Sequence, residues 1–448
     1  MLETALAMHS RGQITEAGNL YLQVLAQDPA NATALHMLGM VCMSTDQPER
    51  GLMLLDRARE LQPEDPARLG NRASLLHLLG RDAEALAAFD AAIAGDPDFA
   101  PNWRNRGVVL HAARRFDEAQ ASLERALALA PDEASTQLEA AFVYLQRGDF
   151  ARGWPAYEAR LQPGQALTPP VNGPRFTGQE DVRGRVVLLH AEQGFGDTLQ
   201  FCRYAPLVAA LGARVVLAVP APLVRLLEGL PAVDKVLDIA GPWPAFDLHC
   251  PLMSLPLAFG TTLETIPADS PYLFADPLAA AGWRTRLSVL RGVRIGLVWA
   301  GAPRPMQPGA HRTDRRRSMR LADLAPLAAL PGIHLVSLQK GQDVLPPQGM
   351  VLHDWTGELD DFADTAALVV GLDLVICVDT AVAHLVGALG VPVWVLSRFD
   401  ACWRWLHDRT DSPWYPTLRL FTQSRPGDWQ GVVAQVVAGL QELAGGGD

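Results

Sequence analysis

The sequence predicts a protein of class α + α/β, in which an N-terminal helical solenoid is followed by two Rossmann-like α/β halves. Three observations predict it. The first third of the chain has a period of 34 residues, apolar strand-like runs alternate with helical segments from Arg185 onward, and a strand–turn–helix–strand unit lies between Leu372 and Leu396. We expect a solenoid over 1–160, a linker over 161–184, a first α/β half over 185–290 and a second half with a closing helix over 291–448.

Composition narrows the classes of function. Of the 448 residues, 49% are hydrophobic. The 38 lysines and arginines against 49 aspartates and glutamates give a net charge of −11, and this negative charge disfavours nucleic acid as a partner. The five cysteines form no C-x-x-C pair, so neither a zinc site nor a disulfide framework is indicated. The chain start lacks the features of a signal peptide, and no long uncharged span indicates a transmembrane segment, so we expect a cytoplasmic protein.

The first 160 residues carry an internal repeat. Turn prolines recur every 34 residues, small residues recur in phase on two successive helices, and large apolar residues keep the same step. The prolines are Pro29, Pro63, Pro97 and Pro131; the small residues are Ala5, Gly39, Ala73, Gly107 and Ala141, then Ala17, Gly51, Ala85, Ala119 and Gly153; the large ones are Tyr21, Leu55, Phe89, Leu123 and Tyr157.

This pattern resembles the tetratricopeptide repeat (TPR), with about four and a half copies. Two amphipathic helices meet at small residues, and the proline ends the second helix of each pair. A plain helical bundle would need no fixed period. The resemblance implies an α-solenoid whose concave face binds a protein or glycan acceptor. The loop signals Gln162-Pro-Gly, Thr168-Pro-Pro and Asn172-Gly-Pro then indicate a linker that packs on the next domain.

The remainder alternates between strands and helices. We predict a helix over 321–330, which the basic run 311–320 precedes. The predicted strands are 185–190, 215–219, 234–239, 246–249, 293–299, 333–338, 351–353, 374–378, 391–396 and 418–421. One further helix is predicted after the first strand and ends at about residue 211. The other predicted helices span 223–229, 277–290, 362–371, 381–389 and 429–443.

Asp379 and Thr380 end one buried strand and precede a helix, where parallel sheets bind ligands and free N–H groups attract an anion. His384 lies four residues after Thr380 and faces the same side of that helix. An acid, a hydroxyl and an imidazole are thus predicted beside an anion-binding helix end. Alternatively, Asp379 and Thr380 cap the helix and His384 is a core histidine.

Asp379-Thr380-x-x-x-His384-Leu385, followed by Ala388 and Pro392, resembles the donor-site signature of the lipopolysaccharide heptosyltransferases. The family's usual glycine is Ala381 here, which leaves a very close approach of the backbone to the donor in doubt. The resemblance implies a GT-B fold, a pair of Rossmann-like halves. It also implies a nucleotide-diphospho-sugar as co-substrate, with no further cofactor. Asp314, His311 and Asp354 show no ligand spacing, and the only D-x-D, Asp96-Pro97-Asp98, lies in a repeat turn, so we expect no metal.

The loop Gly194-Phe-Gly196-Asp197 follows the first strand of the first half, at the edge that would face the acceptor. It resembles the heptosyltransferase motif whose aspartate acts as general base. Inverting transfer needs one carboxylate to accept the acceptor's proton, and we assign that role to Asp197. Asp197 as an ordinary helix cap is the alternative, with Glu192 and His190 as other candidate bases.

The run His311–Arg320 is strongly basic, and a cation there can stabilise a leaving diphosphate without metal. By resemblance to the heptosyltransferases and the O-GlcNAc transferases, Arg317 is the matching cation; a solvated basic loop is the alternative. Lys340 and the backbone at Leu359 are further donor-binding candidates. Four tryptophans either provide aromatic faces on which a sugar stacks or pack between domains and hold them together: Trp243, Trp403, Trp405 and Trp414.

The TPR and GT-B resemblances together predict a metal-independent, hexosyl- or heptosyltransferase-like enzyme with an architecture similar to the O-GlcNAc transferases. Its repeats would recruit the acceptor. Two other classes remain open: a TPR interaction scaffold with a catalytically silent GT-B domain, and a nucleotide-sugar epimerase. The sugar, the base and the acceptor are not specified by these residues.

Overall fold

The structure is a computed structural model that describes residues 1–62, 66–165, 171–342 and 345–445. The chain divides into two compact units, Met1–Val143 with Pro305–Gly309, and Tyr144–Arg304 with Ala310–Asp448. This division does not decide the predicted boundaries at 160, 184 and 290, which stay predictions.

The first unit consists of helix–turn–helix pairs that repeat along the chain, which is the predicted α-solenoid. Pro29, Pro97 and Pro131 each lie two residues beyond the last residue of a helix, while Pro63 lies outside the described residues. The helices are α1 (Leu2–Ser10), α2 (Ile14–Gln27), α3 (Ala32–Ser44), α4 (Pro48–Leu61), α5 (Pro66–Leu78), α6 (Asp82–Gly95), α7 (Ala100–Ala112), α8 (Phe116–Leu129) and α9 (Ala134–Gln146).

The small in-phase residues are the points where paired helices touch. A Cβ atom at Gly39 would lie 3.1 Å from the carbonyl oxygen of Gly51, and one at Gly51 would lie 3.0 Å from that of Gly39. The backbones of α3 and α4 therefore meet directly. The large apolar positions Tyr21, Leu55 and Phe89 are buried in the cores of the repeats. The local period thus encodes both the helices and the way they pack.

The second unit begins with a helix of the repeat region. Helix α10 (Phe150–Tyr157) runs into a 3₁₀ turn at Glu158–Leu161. In the predicted linker, the backbone N–H of Phe176 donates to His249 O at 2.8 Å, and His249 N–H donates to Pro174 O at 2.9 Å. The linker motif Thr168-Pro-Pro lies outside the described residues.

The first sheet of this unit has four parallel strands in the order β3-β2-β1-β4. The strand order reverses between β1 and β4, so the loop after β1 lies at a switch point where such sheets bind ligands. The elements are β1 (Val186–His190), α11 (Phe195–Phe201), α12 (Ala205–Ala210), β2 (Arg214–Val219), α13 (Ala221–Leu227), β3 (Lys235–Asp238), β4 (Leu248–Pro251), α14 (Leu255–Ala258) and α15 (Pro277–Leu287).

The second sheet has six parallel strands in the order β10-β9-β8-β5-β6-β7. Its switch point lies between β5 and β8, and a buried apolar core covers one face. The elements are β5 (Val293–Val298), α16 (Pro308–Arg317), β6 (Ile333–Ser337), β7 (Leu352–Asp354), α17 (Phe362–Val369), β8 (Leu374–Val378), α18 (Ala381–Ala388), β9 (Val393–Ser397), β10 (Leu418–Thr422) and α19 (Trp429–Gly445).

Every predicted strand is found, with its ends shifted by at most two residues. The basic region adds detail to the prediction. The basic run, for which a solvated loop was the alternative interpretation, lies largely in helix α16, whose arginines occupy the last turn, where the helix dipole favours cations. The helix predicted over 321–330 is found as a 3₁₀ helix at Leu321–Ala329, and Pro326 inside it lacks a backbone donor. The coarser fold, a helical solenoid plus parallel α/β sheets, is confirmed.

Candidate functional site

Thr380 is the residue that precedes helix α18, directly after strand β8. Its backbone is extended, with φ −137° and ψ 174°, and its side chain makes no capping hydrogen bond. The Thr380 Oγ1 atom is buried and, within the described parts of the chain, has no hydrogen-bond partner. The alternative interpretation of Thr380 as a side-chain cap therefore does not describe this structure. A buried hydroxyl without a partner is available to a ligand.

Arg317 ends helix α16 and reaches the same helix start. Its Nε and Nη2 atoms lie 2.9 and 2.8 Å from Asp314 Oδ1, which fixes the guanidinium. Its Nη1 atom donates to the backbone carbonyl of Asp379 at 3.1 Å. The structure thus brings a half-buried cation together with Asp379, Thr380 and Ala381. By contrast, Arg315 and Arg316 are exposed.

His384 lies one turn further along α18 and is buried. Its Nδ1 atom is 2.9 Å from Tyr415 Oη, and its ring stacks on Trp405 with 5.1 Å between centroids. Burial, together with the positive charges of Arg404 and Arg203, holds the pKa of His384 well below its usual value. The side chain is therefore a neutral imidazole at pH 7, suited to hydrogen bonding rather than to charge.

The loop after β1 presents Asp197 from helix α11. The backbone N–H of Gly194 donates to Asp197 Oδ2 at 2.9 Å, so the carboxylate does bond back to the helix start. The other oxygen, Oδ1, forms an ion pair with Nη2 of Arg404. Both oxygens of the candidate base therefore already have a donor.

Gly196 brings the two helix starts together. A Cβ atom at this position would lie 2.7 Å from His384 Cδ2 and 3.4 Å from Ala381 Cα. Only a glycine lets α11 approach α18 so closely. Two groups of predicted site residues, which follow strands of different sheets, therefore meet at one place. The first group is Gly194, Gly196 and Asp197, and the second is Ala381 and His384.

The two other candidate bases have different surroundings. Glu192 is buried in a two-point ion pair with Arg160, with N–O distances of 2.8 and 3.2 Å, and burial raises its pKa. His190 Nε2 lies 3.2 Å from Nδ1 of His249, and burial and then His249 lower its pKa to about 4. His190 is therefore neutral at pH 7, and Glu192 is held by Arg160.

Lys340 and Leu359 contact each other. The Lys340 ammonium donates to the carbonyls of Thr356, at 2.9 Å, and of Leu359. The backbone N–H of Leu359 donates to Thr356 O at 3.2 Å. Their assignment to the donor site stays a prediction.

The tryptophans are mostly buried side by side. Trp403, Trp405 and Trp414 are 6%, 1% and 0% exposed, so their faces are not open to a sugar. Trp403 and Trp414 both pack edge-on against Trp154 of helix α10. These contacts are those of buried packing residues, while Trp243 stacks on His190 at 5.9 Å. Whether the tryptophans hold two domains together stays a prediction.

Sequence reasoning missed Arg404 and Tyr415, which touch Asp197 and His384. Both lie in the aromatic segments Trp403–Trp405 and Trp414-Tyr415, in which the aromatic rings alone suggested a function, and not the guanidinium or the hydroxyl. An arginine between two tryptophans was the available signal, because a cation rarely occurs in an apolar setting without a partner.

Across the described ranges, no three His, Cys, Asp or Glu side chains lie together as a metal site would require. The metal-independent mechanism nevertheless stays a prediction. In those same ranges, none of the helices is both long and apolar enough to cross a membrane.

Comparisons with known proteins identify the repeats. Residues 8–73 and 100–133 match tetratricopeptide-repeat families, which confirms the predicted TPR solenoid. Protein FlbA of Caulobacter vibrioides is 26% identical over 513 residues, covering 98% of this chain and 83% of that protein.

Solved structures match about a third of the chain. Pseudomonas aeruginosa PilF is 21% identical, with a TM-score of 0.33, covering 36% of this chain and 74% of that one. A thermophilic TPR protein of Thermus thermophilus is 22% identical, with a TM-score of 0.34, covering 36% and 89%.

Proposed function

We propose that this protein is an inverting, metal-independent GT-B glycosyltransferase that moves a sugar from a nucleotide-diphospho-sugar to an acceptor recruited by its TPR repeats. One observation carries the proposal. The cation Arg317, the buried free hydroxyl of Thr380 and the start of α18 lie beside the loop that presents Asp197.

The diphosphate would bind at the start of α18. The first N–H groups of a helix point outward and favour an anion. Arg317 adds a guanidinium at that end, which Asp314 holds in place. As the bond to the sugar breaks, negative charge grows on the leaving phosphate, and fixed donors there lower the barrier.

Asp197 would accept the proton of the acceptor hydroxyl. Gly194 N–H and Arg404 fix the orientation of its carboxylate, and each oxygen retains a further lone pair. His384, neutral and held by Tyr415, would hydrogen-bond to the donor. The repeats would bind the protein or glycan acceptor, as solenoids bind partners on a concave face.

Arg317→Ala is expected to weaken binding of nucleoside diphosphates by about 1.5–3 kcal/mol, the worth of a charged hydrogen bond. Titration calorimetry with ADP, UDP and GDP on the full chain measures this. Arg315→Ala is the matched control, because Arg315 is an exposed arginine of the same helix turn. Equal affinities in the wild type and the Arg317 variant would refute the assignment, provided the melting temperature is unchanged.

Sugar transfer is expected to continue in excess EDTA. The proposed mechanism neutralises the leaving diphosphate with Arg317 and helix N–H groups, so it needs no divalent ion. Transfer rates are compared with and without EDTA, then after adding Mg²⁺ or Mn²⁺. Loss of turnover that the added ion restores would rule out this mechanism.

A TPR interaction scaffold with a silent α/β domain is the second candidate. It is favoured by the two donors on Asp197, which leave the carboxylate less free to accept a proton. Thermal-shift screening against ADP-, UDP- and GDP-sugars separates the two proposals. Stabilisation by one donor class supports the enzyme, and no response to any of them supports the scaffold.

A further inference from the structure

We infer that residues 150–161, here called the anchor segment, position Asp197 by holding both of its hydrogen-bond donors in place. The anchor segment comprises helix α10 and the 3₁₀ turn Glu158–Leu161. The inference rests on the proposed function for the catalytic role of Asp197 and for nucleotide binding at α18. The positioning itself follows from two separate sets of contacts.

The first set of contacts holds the loop that contains Gly194. Arg160, the third residue of the 3₁₀ turn, forms its two-point ion pair with Glu192, two residues before Gly194. The side chains are 3% and 5% exposed, so water does not screen the pair. Glu192 also accepts from the backbone N–H of Met253 at 3.3 Å. The start of the loop is therefore fixed to the anchor segment.

Arg160 is itself held from several directions. Its Nη1 atom donates to Glu158 Oε1 at 2.7 Å and to Tyr157 O at 3.0 Å, and its Nη2 atom donates to Ser254 Oγ at 2.8 Å. The guanidinium thus has one available orientation. Because this cation is rigid, it holds Glu192 at a fixed place relative to the anchor segment.

The second set of contacts holds Arg404. The ring of Trp403 packs edge-on against Trp154 and Tyr157 of helix α10, with centroids 5.7 and 5.6 Å apart. The Arg404 guanidinium lies over that same Trp403 ring, 4.2 Å from its centroid. Arg404 then pairs with Asp197 Oδ1. The anchor segment therefore supports the second donor through one aromatic ring.

The two sets of contacts converge on one carboxylate from different parts of the unit. Gly194 N–H fixes Oδ2, and Arg404 fixes Oδ1, so together they set the plane of the Asp197 carboxylate. A base misplaced by about 1 Å can lose about 10²-fold in rate. Damage to the anchor segment is therefore expected to slow the chemical step and to leave nucleotide binding at α18 unchanged.

The test is hydrogen–deuterium exchange on the full chain carrying Arg160→Met. Backbone amides of 194–201 are expected to exchange roughly 10–100-fold faster, because the loop loses a charged anchor. Amides of β8 and α18 should keep their wild-type rates. Binding of ADP, UDP and GDP should also be unchanged, while transfer, where measured, slows without a change in the KM for the donor.

Arg175→Met is the matched control. Arg175 bonds to Glu158 and Ser254, as Arg160 does, but not to Glu192, so exchange at 194–201 should stay at the wild-type rate. If Arg160→Met does not fold, Arg160→Lys keeps the charge, loses the two-point geometry and should give a smaller increase at 194–201.

Two results would overturn the inference: wild-type exchange at 194–201 in a folded Arg160 variant, or an equal rise across β8 and α18, which indicates general destabilisation. A wild type without transfer activity would count against the proposed function instead. The exchange pattern would still decide whether the anchor segment positions Asp197.

Discussion

Asp197→Asn is expected to slow sugar transfer by about 10²–10⁴-fold while donor affinity barely changes. Asparagine has nearly the same size and can still accept the Gly194 N–H, but it cannot take a proton from the acceptor. The change leaves the proposed donor-binding residues Arg317, Thr380 and His384 untouched. Transfer rate and donor affinity are measured side by side on the same preparation.

The structure adds a second effect that the experiment has to separate. Asp197→Asn also leaves the buried Arg404 without its charged partner, and loss of one partner of a buried pair costs up to about 3–5 kcal/mol in stability. The double variant Asp197→Asn with Arg404→Gln removes both charges. Slow transfer in both variants, well below their melting temperatures, indicates a lost base rather than a lost fold.

A wild-type rate in a folded Asp197→Asn variant would contradict the assignment. The base would then be Glu192 or His190. Glu192 is engaged by Arg160, and His190 is neutral at pH 7 but, with a pKa of about 4, is a weak base. Parallel Glu192→Gln and His190→Gln variants would therefore be the next measurement.

Local periodicity is why so much of the fold could be predicted. Gly39 and Gly51 lie one on each helix of a pair, and their mutual approach is encoded in a 34-residue spacing that is visible in the chain. Strand β8 was predicted with its observed ends because five apolar residues without alternation are typical of a strand buried on both faces. Such signals need no knowledge of distant residues.

Helix α16 was missed because it lacks that kind of signal. Its sequence contains no large apolar residue, and Arg317 contacts Asp314 and the backbone of Asp379. Apolar periodicity cannot reveal a helix held in this way. The position of the cation at the start of α18 was nevertheless anticipated, from resemblance rather than from pattern.

The partners of the candidate site residues could not be predicted either. Arg404 and Asp197 are 207 residues apart, and Tyr415 and His384 are 31 apart. Sequence spacing within one helix predicts which residues share a face of that helix. It does not predict which distant segment of the chain packs against that face. The roles of Asp197 and the donor residues themselves stay predictions until activity is measured.

Arg203→Met is expected to be among the most destabilising single changes in the second unit, by about 3 kcal/mol or more. Arg203 is buried and donates to the carbonyls of Gln200 and Trp414 at 2.8 and 2.7 Å, and to Tyr272 Oη at 2.9 Å. Its guanidinium also lies 4.6 Å from the Tyr415 ring centroid. Methionine fills much of the space but can donate to none of these acceptors.

Arg225→Met provides the matched comparison. Arg225 of helix α13 forms ion pairs with Asp361 and Asp364 at the start of helix α17, and so it also connects helices that belong to the two sheets. Its side chain, however, is 55% exposed. Exposed pairs contribute about 0–1 kcal/mol, since water screens them and two long side chains lose freedom. Urea unfolding followed by tryptophan fluorescence should shift far more for Arg203→Met than for Arg225→Met. Equal shifts would mean that burial does not determine which arginine stabilises the unit.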